Sequence, residues 1–267
     1  MSDNIYSRKA WVDRFVHPAP VDLSDEERVR NIVDAIPEDV RVILDVGLGG
    51  GFIFRELKKN GGRQCFGIDI SSDLVNRLKD PRVCVADAVS IPFKDSHFDL
   101  VLAADLLEHV KDEFFGESVF ELKRVSRKYI LINSPFKDAI DWPVALCNKC
   151  NKEFNVYGHI RAVDAELIKR LFPKAEFDII SMKVFGKKRD ARPSMIVRMA
   201  RKLGKVYSAE GALCPYCFND SIERPLRNAI EACFGKVSAA IFFLMDRLTP
   251  SVLKQGSEIS VLLRKRI

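Results

Sequence analysis

Ile43-Leu44-Asp45-Val46-Gly47-Leu48-Gly49-Gly50-Gly51 is the stretch whose reading decides the fold. The β-branched run Val42 to Val46 reads as a short strand, Gly47 to Gly51 as a glycine loop, and Phe52 to Lys59 as the start of a helix, with Phe54, Leu57 and Lys58 at helical spacing. Glycine at a strand-to-helix turn lets the backbone bend sharply and approach a ligand closely. Residue identity weakens one phosphate-binding version of such a loop and leaves a second without its motif. The dinucleotide fingerprint G-x-G-x-x-G needs Gly at 52 or 54, where Phe stands, and G-K-[ST] occurs nowhere.

Working outward, the unit recurs: Cys65 to Ile70 then Ser72 to Leu78, Val83 to Ala86, Leu100 to Ala103 then a helix over Asp112 to Val125, and Tyr129 to Asn133. Upstream, Ser24-Asp25-Glu26-Glu27 reads as a capping box opening a helix over Asp25 to Ile36. Near-continuous apolar strands alternating with helices are buried on both faces, so the class is α/β with a parallel sheet.

The 267 residues, 47% of them hydrophobic, suffice for one main domain with an appendage and exclude collagen, coiled coil and wholesale disorder. With 43 Lys+Arg against 37 Asp+Glu, the net charge of +6 permits RNA or an anionic membrane as partner without requiring either. Met1 to Trp11 holds no apolar run, and Val237 to Met245 is far shorter than the roughly 20 residues that span a bilayer. The expectation is a cytoplasmic protein with no transmembrane segment.

Asp45-x-Gly47-x-Gly49-x-Gly51 resembles motif I of the class I S-adenosylmethionine-dependent methyltransferases, and similar stretches follow in family order. They are Gly67-Ile68-Asp69-Ile70-Ser71, Ala86-Asp87-Ala88 through Phe98-Asp99-Leu100-Val101, and Leu106-Leu107-Glu108-His109-Val110. Ser134-Pro135 and Gly158-His159-Ile160-Arg161 also fit the type 11 subfamily, so the resemblance covers about Val42 to Phe185.

It implies a Rossmann-like seven-stranded sheet whose sixth strand is Phe177 to Phe185 and whose last, Glu258 to Leu263, is antiparallel. The implied organisation is an arm and helix over 1–40, a cofactor-binding core over 41–185, a zinc-linked helical insertion over 186–256 and the final strand within 257–267. It further implies that Gly47, Gly49 and Gly51 belong to the cofactor site, that Gly47 and Gly49 pass close to the cofactor's methionine part, and that Asp45 holds its ammonium directly or through water. Asp69 then takes the ribose, Ile70 the adenine face and Asp87 with Ala88 the adenine amino group, while backbone at Ala104 and Asp105 closes the site.

Methyl transfer from a sulfonium needs alignment and exclusion of water, with a base only when the acceptor must lose a proton. His109 and His159 are the candidate bases. Each is equally compatible with orienting a loop through hydrogen bonds.

Cys147-Asn148-Lys149-Cys150 and Cys214-Pro215-Tyr216-Cys217 are two C-x-x-C knuckles, the donor set of a closed, structural zinc site. A redox pair and buried free thiols are the alternatives. Cys65, Cys84 and Cys233 read as small core residues. Leu226, Ile230, Cys233, Val237, Ile241, Leu244 and Leu248 form a helical stripe that suits the appendage's own core, a dimer interface, a hydrophobic acceptor or peripheral contact with a membrane. The basic run Lys187, Lys188, Arg189, Arg192, Arg198, Arg201, Lys202 and Lys205 suits a solvated face, RNA phosphates or an anionic sugar nucleotide or lipid phosphate. The two knuckles, Phe154 and Gly158-His159-Ile160-Arg161 together are similar to methyltransferases of surface-polysaccharide synthesis. The leading expectation is therefore a small-molecule or glycan-precursor acceptor, then RNA, then a non-catalytic scaffold.

Overall fold

Strand β1 (Val42–Val46) runs into the glycine loop and helix α2 (Phe52–Lys59), so the unit read from sequence is the unit found. A computed structural model describes residues 23–59, 62–137, 144–186, 202–203, 207, 212–217, 219–223, 229–248 and 256–266. Around that unit stand α1 (Leu23–Asp34), β2 (Gln64–Asp69), α3 (Ser72–Leu78), β3 (Val83–Val85), β4 (Phe98–Ala104), α4 (Asp112–Val125) and β5 (Ser126–Pro135). They are followed by the short strands β6 (Val144–Leu146) and β7 (Glu153–Asn155), α5 (Ala165–Leu171), β8 (Phe177–Phe185), α6 (Ala229–Leu248) and β9 (Glu258–Lys265).

The chain divides into two units. The first comprises 1–136, 163–186 and 258–267; the second comprises 137–162 and 187–257. The first is built on a seven-stranded sheet of order β3-β2-β1-β4-β5-β9-β8. Neighbours from β3 to β5 are parallel, and β9 runs antiparallel between β5 and β8, as expected of the last strand. Pro135 and Phe185 are both register partners of Glu258, so the first unit's chain breaks off and resumes along the edge where β1, β2 and β4 end.

Side chains alternate between two cores along the strands. Ile43, Leu100, Leu102, Leu131 and Leu262 join Ile32, Phe54, Leu57 and Val75 on one face. Leu44, Val46, Val101, Ile130, Ile132, Val261 and Leu263 join Val119, Leu122, Val125 and Ile168 on the other. Helices α1 to α3 thus cover one face and α4 and α5 the other, which gives a three-layer sandwich.

The apolar runs read from sequence are shorter than the strands. β4 begins at Phe98-Asp99 and β5 extends from Ser126 to Pro135. Asp99 explains the first extension. It is 1% exposed, its Oδ2 accepts from the backbone N–H groups of Arg41 (2.9 Å) and Val42 (3.1 Å), and its Oδ1 accepts from Arg127 Nε (2.9 Å). Burial opposes ionisation, yet Arg127 and those two N–H groups hold the carboxyl below its ordinary range. Asp99 therefore ties the starts of β1 and β4, at the opposite end of the strands from the glycine loop. Its stabilisation is present above the unfolded carboxyl's pKa and is lost as pH falls through the lower folded value. Asp99→Ala takes the acceptor from the N–H groups of Arg41 and Val42 and from Arg127, and we expect urea unfolding at pH 7 to show a loss of about 1–3 kcal/mol.

Helix α1 spans Leu23–Asp34, not Asp25 to Ile36, because the chain turns at Ala35 and Ile36 before reaching β1. The capping expected of Ser24 lies outside the described side chains. Of the basic run, only Lys202 is described, and it is exposed.

In the second unit, β6 and β7 pair as an antiparallel hairpin. A small core of Ala145, Cys147, Phe154, Val156, Ala212, Cys214 and Ile222 forms beside it. On α6, Ile230, Cys233, Phe234, Val237 and Leu244 are exposed, so Cys233 is not a core residue. No helix among the described residues is long and apolar enough to cross a membrane.

Candidate active site

The glycine loop is fixed by β2. The backbone N–H groups of Gly47 (2.9 Å) and Leu48 (3.1 Å) both donate to Ile68 O, which folds the loop back over the strand end. Gly47 (φ 74°) and Gly49 (φ 55°) lie in the left-handed region that glycine adopts without strain. They differ in surroundings. A Cβ on Gly47 would meet Leu106 Cδ1 at 2.9 Å, whereas one on Gly49 would meet nothing within 4 Å, so the space over Gly49 is open to a ligand.

Two carboxylates stand under this loop. Asp69 is 8% exposed; its Oδ2 accepts from Gly49 N–H (2.9 Å) and its Oδ1 from Ser71 N–H (2.8 Å). Burial raises its carboxyl above the ordinary value, with those two N–H groups pulling the other way. Asp45 is 2% exposed and its Oδ2 has no hydrogen-bond partner among the described residues. Burial first, then the charge of Asp69, push its carboxyl up to about 7. A buried carboxylate oxygen without a donor is unfavourable unless a ligand supplies one. The α-ammonium of S-adenosylmethionine is such a donor, and Asp69 keeps lone pairs for hydroxyls. The residues present therefore fit that cofactor.

The remaining expected cofactor residues follow along the same edge. Ile70 and Ala88 are half-buried; Asp87 is exposed, with Oδ1 accepting Val89 N–H (3.2 Å). Ala104 is buried at the end of β4. Asp105 follows at φ 50°, with its N–H on Asn133 O (2.9 Å) and its Oδ2 paired with Arg28. Gly51 (φ 72°) faces the protein instead, where a Cβ would meet Leu78 Cδ2 at 2.6 Å. Its role is to seat α2 close to α3.

His109 is half-buried in the turn after β4, its N–H bonded to Leu106 O (3.0 Å). His159 belongs to the second unit, half-buried, its ring 5.8 Å from that of Tyr157.

Glu108 and Glu258 were not singled out from the sequence as site residues. Glu108 is 1% exposed, its Oε2 accepts from Ser134 Oγ (2.9 Å), and its Oε1 has no hydrogen-bond partner among the described residues. Burial, then the charges of Asp105 and Glu258, raise its carboxyl well above the ordinary range. Asn133 is fully buried and its Nδ2 donates to Glu258 Oε2 (3.2 Å). The Leu106–Val110 stretch carried a signal for Glu108, a charge inside an otherwise apolar turn. Nothing in the sequence marked Glu258, and Asn133 stood out only in Asn133-Ser134-Pro135-Phe136, which approaches the Asn-Pro-Pro-Tyr motif of amino-methylation without matching it.

The second unit gathers the four knuckle cysteines, all free thiols, with sulfurs within 4.8 Å of one another. The closest approaches cross between knuckles: Cys147 to Cys217 and Cys150 to Cys214, each 3.5 Å. A tetrahedron of sulfurs about 2.3 Å from zinc has edges of about 3.8 Å, so the set fits that ion. Cys150 N–H (3.4 Å) and Asn219 Nδ2 (3.8 Å) point at Cys147 Sγ, as donors to a thiolate do. Although burial disfavours its thiolate, the N–H groups of Cys150 and Lys149 bring Cys147 down to about 6.

Sheet order, glycine loop and paired carboxylates define the fold of the class I S-adenosylmethionine-dependent methyltransferases. A profile of the family described as methyltransferase domain matches residues 44–129. Norajmaline N-methyltransferase of Rauvolfia serpentina is 34% identical over 96 residues, 32% of this chain and 33% of that protein. The mitochondrial arginine-hydroxylase NDUFAF5 of Homo sapiens is 33% identical over 122 residues, 41% of this chain and 35% of that protein. The matches thus span little more than a third of these curated relatives. A solved SAM-dependent methyltransferase from Archaeoglobus fulgidus superposes with TM-score 0.51 at 21% identity, covering 90% of this chain and 92% of that one.

Proposed function

We propose that the protein is an S-adenosylmethionine-dependent methyltransferase acting on a small-molecule or glycan-precursor acceptor, with a structural zinc in its second unit. The observation that carries the reading is Asp45, a buried carboxylate with an orphaned oxygen beneath an open glycine loop. Fold alone does not choose the reaction, since the relatives' names include an N-methyltransferase and an arginine hydroxylase. Asp45 and Asp69 support the reading, because they offer buried carboxylate acceptors to an ammonium and to ribose hydroxyls.

When bound, the cofactor supplies a methyl group already activated by its sulfonium. The protein's part is placement: Asp45 holds the ammonium, Asp69 the ribose hydroxyls, and the Gly47–Gly49 backbone leaves room between them. Ile70 offers an apolar face for the adenine. Leu106, which packs against Gly47, supplies an apolar wall against water on that side.

The test is transfer of labelled methyl from S-adenosylmethionine into an extract of the source cells, fractionated into RNA, protein, lipid or glycan, and small-molecule pools. Label is expected in the glycan or small-molecule pools and is expected to fall at least about a hundredfold with Asp69→Ala, which removes the acceptor of Gly49 N–H and the ribose acceptor. Label in RNA would move the acceptor to nucleic acid. No enzyme-dependent label would leave a scaffold that binds the cofactor without turnover.

A further inference from the structure

The rim where β4, β5 and β9 meet holds a second set of unsatisfied groups, distinct from those under the glycine loop. Asp105 Oδ1, Glu108 Oε1 and Asn133 Oδ1 are all buried, and none has a hydrogen-bond partner among the described residues. The Asn133 amide is oriented by its Nδ2 bond to Glu258 Oε2, so the atom left over is the carbonyl oxygen. Asn133 Oδ1 and Asp105 Oδ1 are acceptors, and Glu108 Oε1 is one once ionised; Arg28 Nε, also buried without a hydrogen-bond partner among the described residues, is a donor on the residue that Asp105 neutralises. Three acceptors against one donor leave a surplus of acceptors, which a group rich in N–H donors complements better than a hydroxyl does.

Charge narrows that group further. Asp105, Glu108 and Glu258 lie close enough that the first and last both disfavour ionisation of Glu108. Arg28 pairs with Asp105 through Oδ2, on the side away from the orphaned Oδ1. Asn133 is the observation independent of the acidic residues: a neutral side chain, 0% exposed, that keeps an unused acceptor beside them. The rim also adjoins the glycine loop, since Leu106, between Asp105 and Glu108, packs against Gly47.

We propose that this rim is a recognition site for a cationic nitrogen group, an ammonium or a guanidinium, and that the methyl acceptor is consequently an amine-bearing small molecule. The assignment of the site as the acceptor's rests on the methyltransferase reading; the cation recognition does not. Glu108 has a further role once such a group is bound. An ammonium nitrogen has no lone pair until an N–H bond breaks and leaves its electrons on nitrogen, and Glu108 Oε1 is the buried base that takes the proton. Asp105 and Glu258 keep that oxygen basic, and the bound cation favours its ionised form beforehand.

The test needs neither cofactor nor turnover. Agmatine and 1,4-diaminobutane are titrated calorimetrically into the full chain at pH 7.5, with 1,4-butanediol as the uncharged control. Both amines are expected to bind and the diol not to. Glu108→Gln, which keeps shape and removes charge, and Glu258→Gln, which acts from β9, are each expected to weaken the amines about tenfold or more. Folding of each variant is checked by thermal melting. Equal binding of diol and diamine, no binding of either amine, or amine binding unchanged in both variants would overturn the proposal. So would Mn²⁺ binding that displaces the amines and vanishes in Glu108→Gln, which would make the rim a metal site. Amine binding without label transfer to any amine would keep the cation site and reject its use in methyl transfer, so the two readings fail separately.

Discussion

Asp45→Asn is expected to abolish S-adenosylmethionine binding while raising the melting temperature of the ligand-free protein. The two effects have one cause. The Asp45 carboxyl titrates at about 7 in the folded chain against 3.8 for an ordinary aspartate, first because it is buried and then because Asp69 is near. Between those values the folded state keeps a proton that the unfolded state has lost, so stability falls as pH rises through the window and the penalty is complete above pH 7. A shift of that size corresponds to about 4 kcal/mol. Asparagine cannot ionise but brings a buried N–H₂ of its own, so the expected gain at pH 8 is smaller, about 1–3 kcal/mol. At pH 4, below most of the window, the gain shrinks towards zero. Thermal melts of both proteins at pH 4 and pH 8 measure the difference.

The same titration governs the ligand. An ammonium is held by ionised Asp45, so cofactor affinity is expected to rise up to about tenfold per pH unit below 7 and to level off above it. Below pH 7, binding releases the Asp45 proton, which calorimetry in two buffers of different ionisation enthalpy detects. An affinity flat from pH 5.5 to 8, or an Asp45→Asn protein that binds as tightly as its parent, would remove Asp45 from the ammonium site.

How much of this could be read from residues alone follows from where each signal resides. The helix starting at Phe52, the helix Ser72–Leu78 and the helix near Asp112–Val125 were legible because a helix's periodicity is a local signal. β4 and β5 were clipped because their ends are polar: Asp99 belongs to a strand only through Arg41, Val42 and Arg127, which are distant in sequence. β6 and β7, three residues each, fall below any periodic signal, yet they carry Cys147 into place. The glycine spacing and the acidic strand ends pointed to Asp45 and Asp69. Glu108, Asn133 and Glu258 became a group only when three strands met, because burial is a property of the assembled sheet.

Metal removal is the second large effect, and it tests the knuckles directly. The second unit's described core comprises Ala145, Cys147, Phe154, Val156, Ala212, Cys214 and Ile222, so two of its seven buried members are thiols. Four sulfurs held this close repel one another as thiolates and leave poor packing as thiols; a dication turns both liabilities into bonds. Structural zinc contributes apparent binding energies of about 10–16 kcal/mol to small domains, enough to decide whether this cluster stays folded. The protein purified under reducing conditions is therefore expected to contain one zinc per chain by elemental analysis, and Cys214→Ser to contain little. Chelation at pH 7 should strip hydrogen-exchange protection from residues 144–156 and 212–223 while amides of β1, β4 and β5 stay protected. A redox pair gives the opposite pattern: no metal, and on mild oxidation a Cys147–Cys217 or Cys150–Cys214 disulfide that forms and reduces reversibly with those segments still protected. The cross-knuckle distances make those two pairings, rather than pairings within each C-x-x-C, the ones that oxidation would trap.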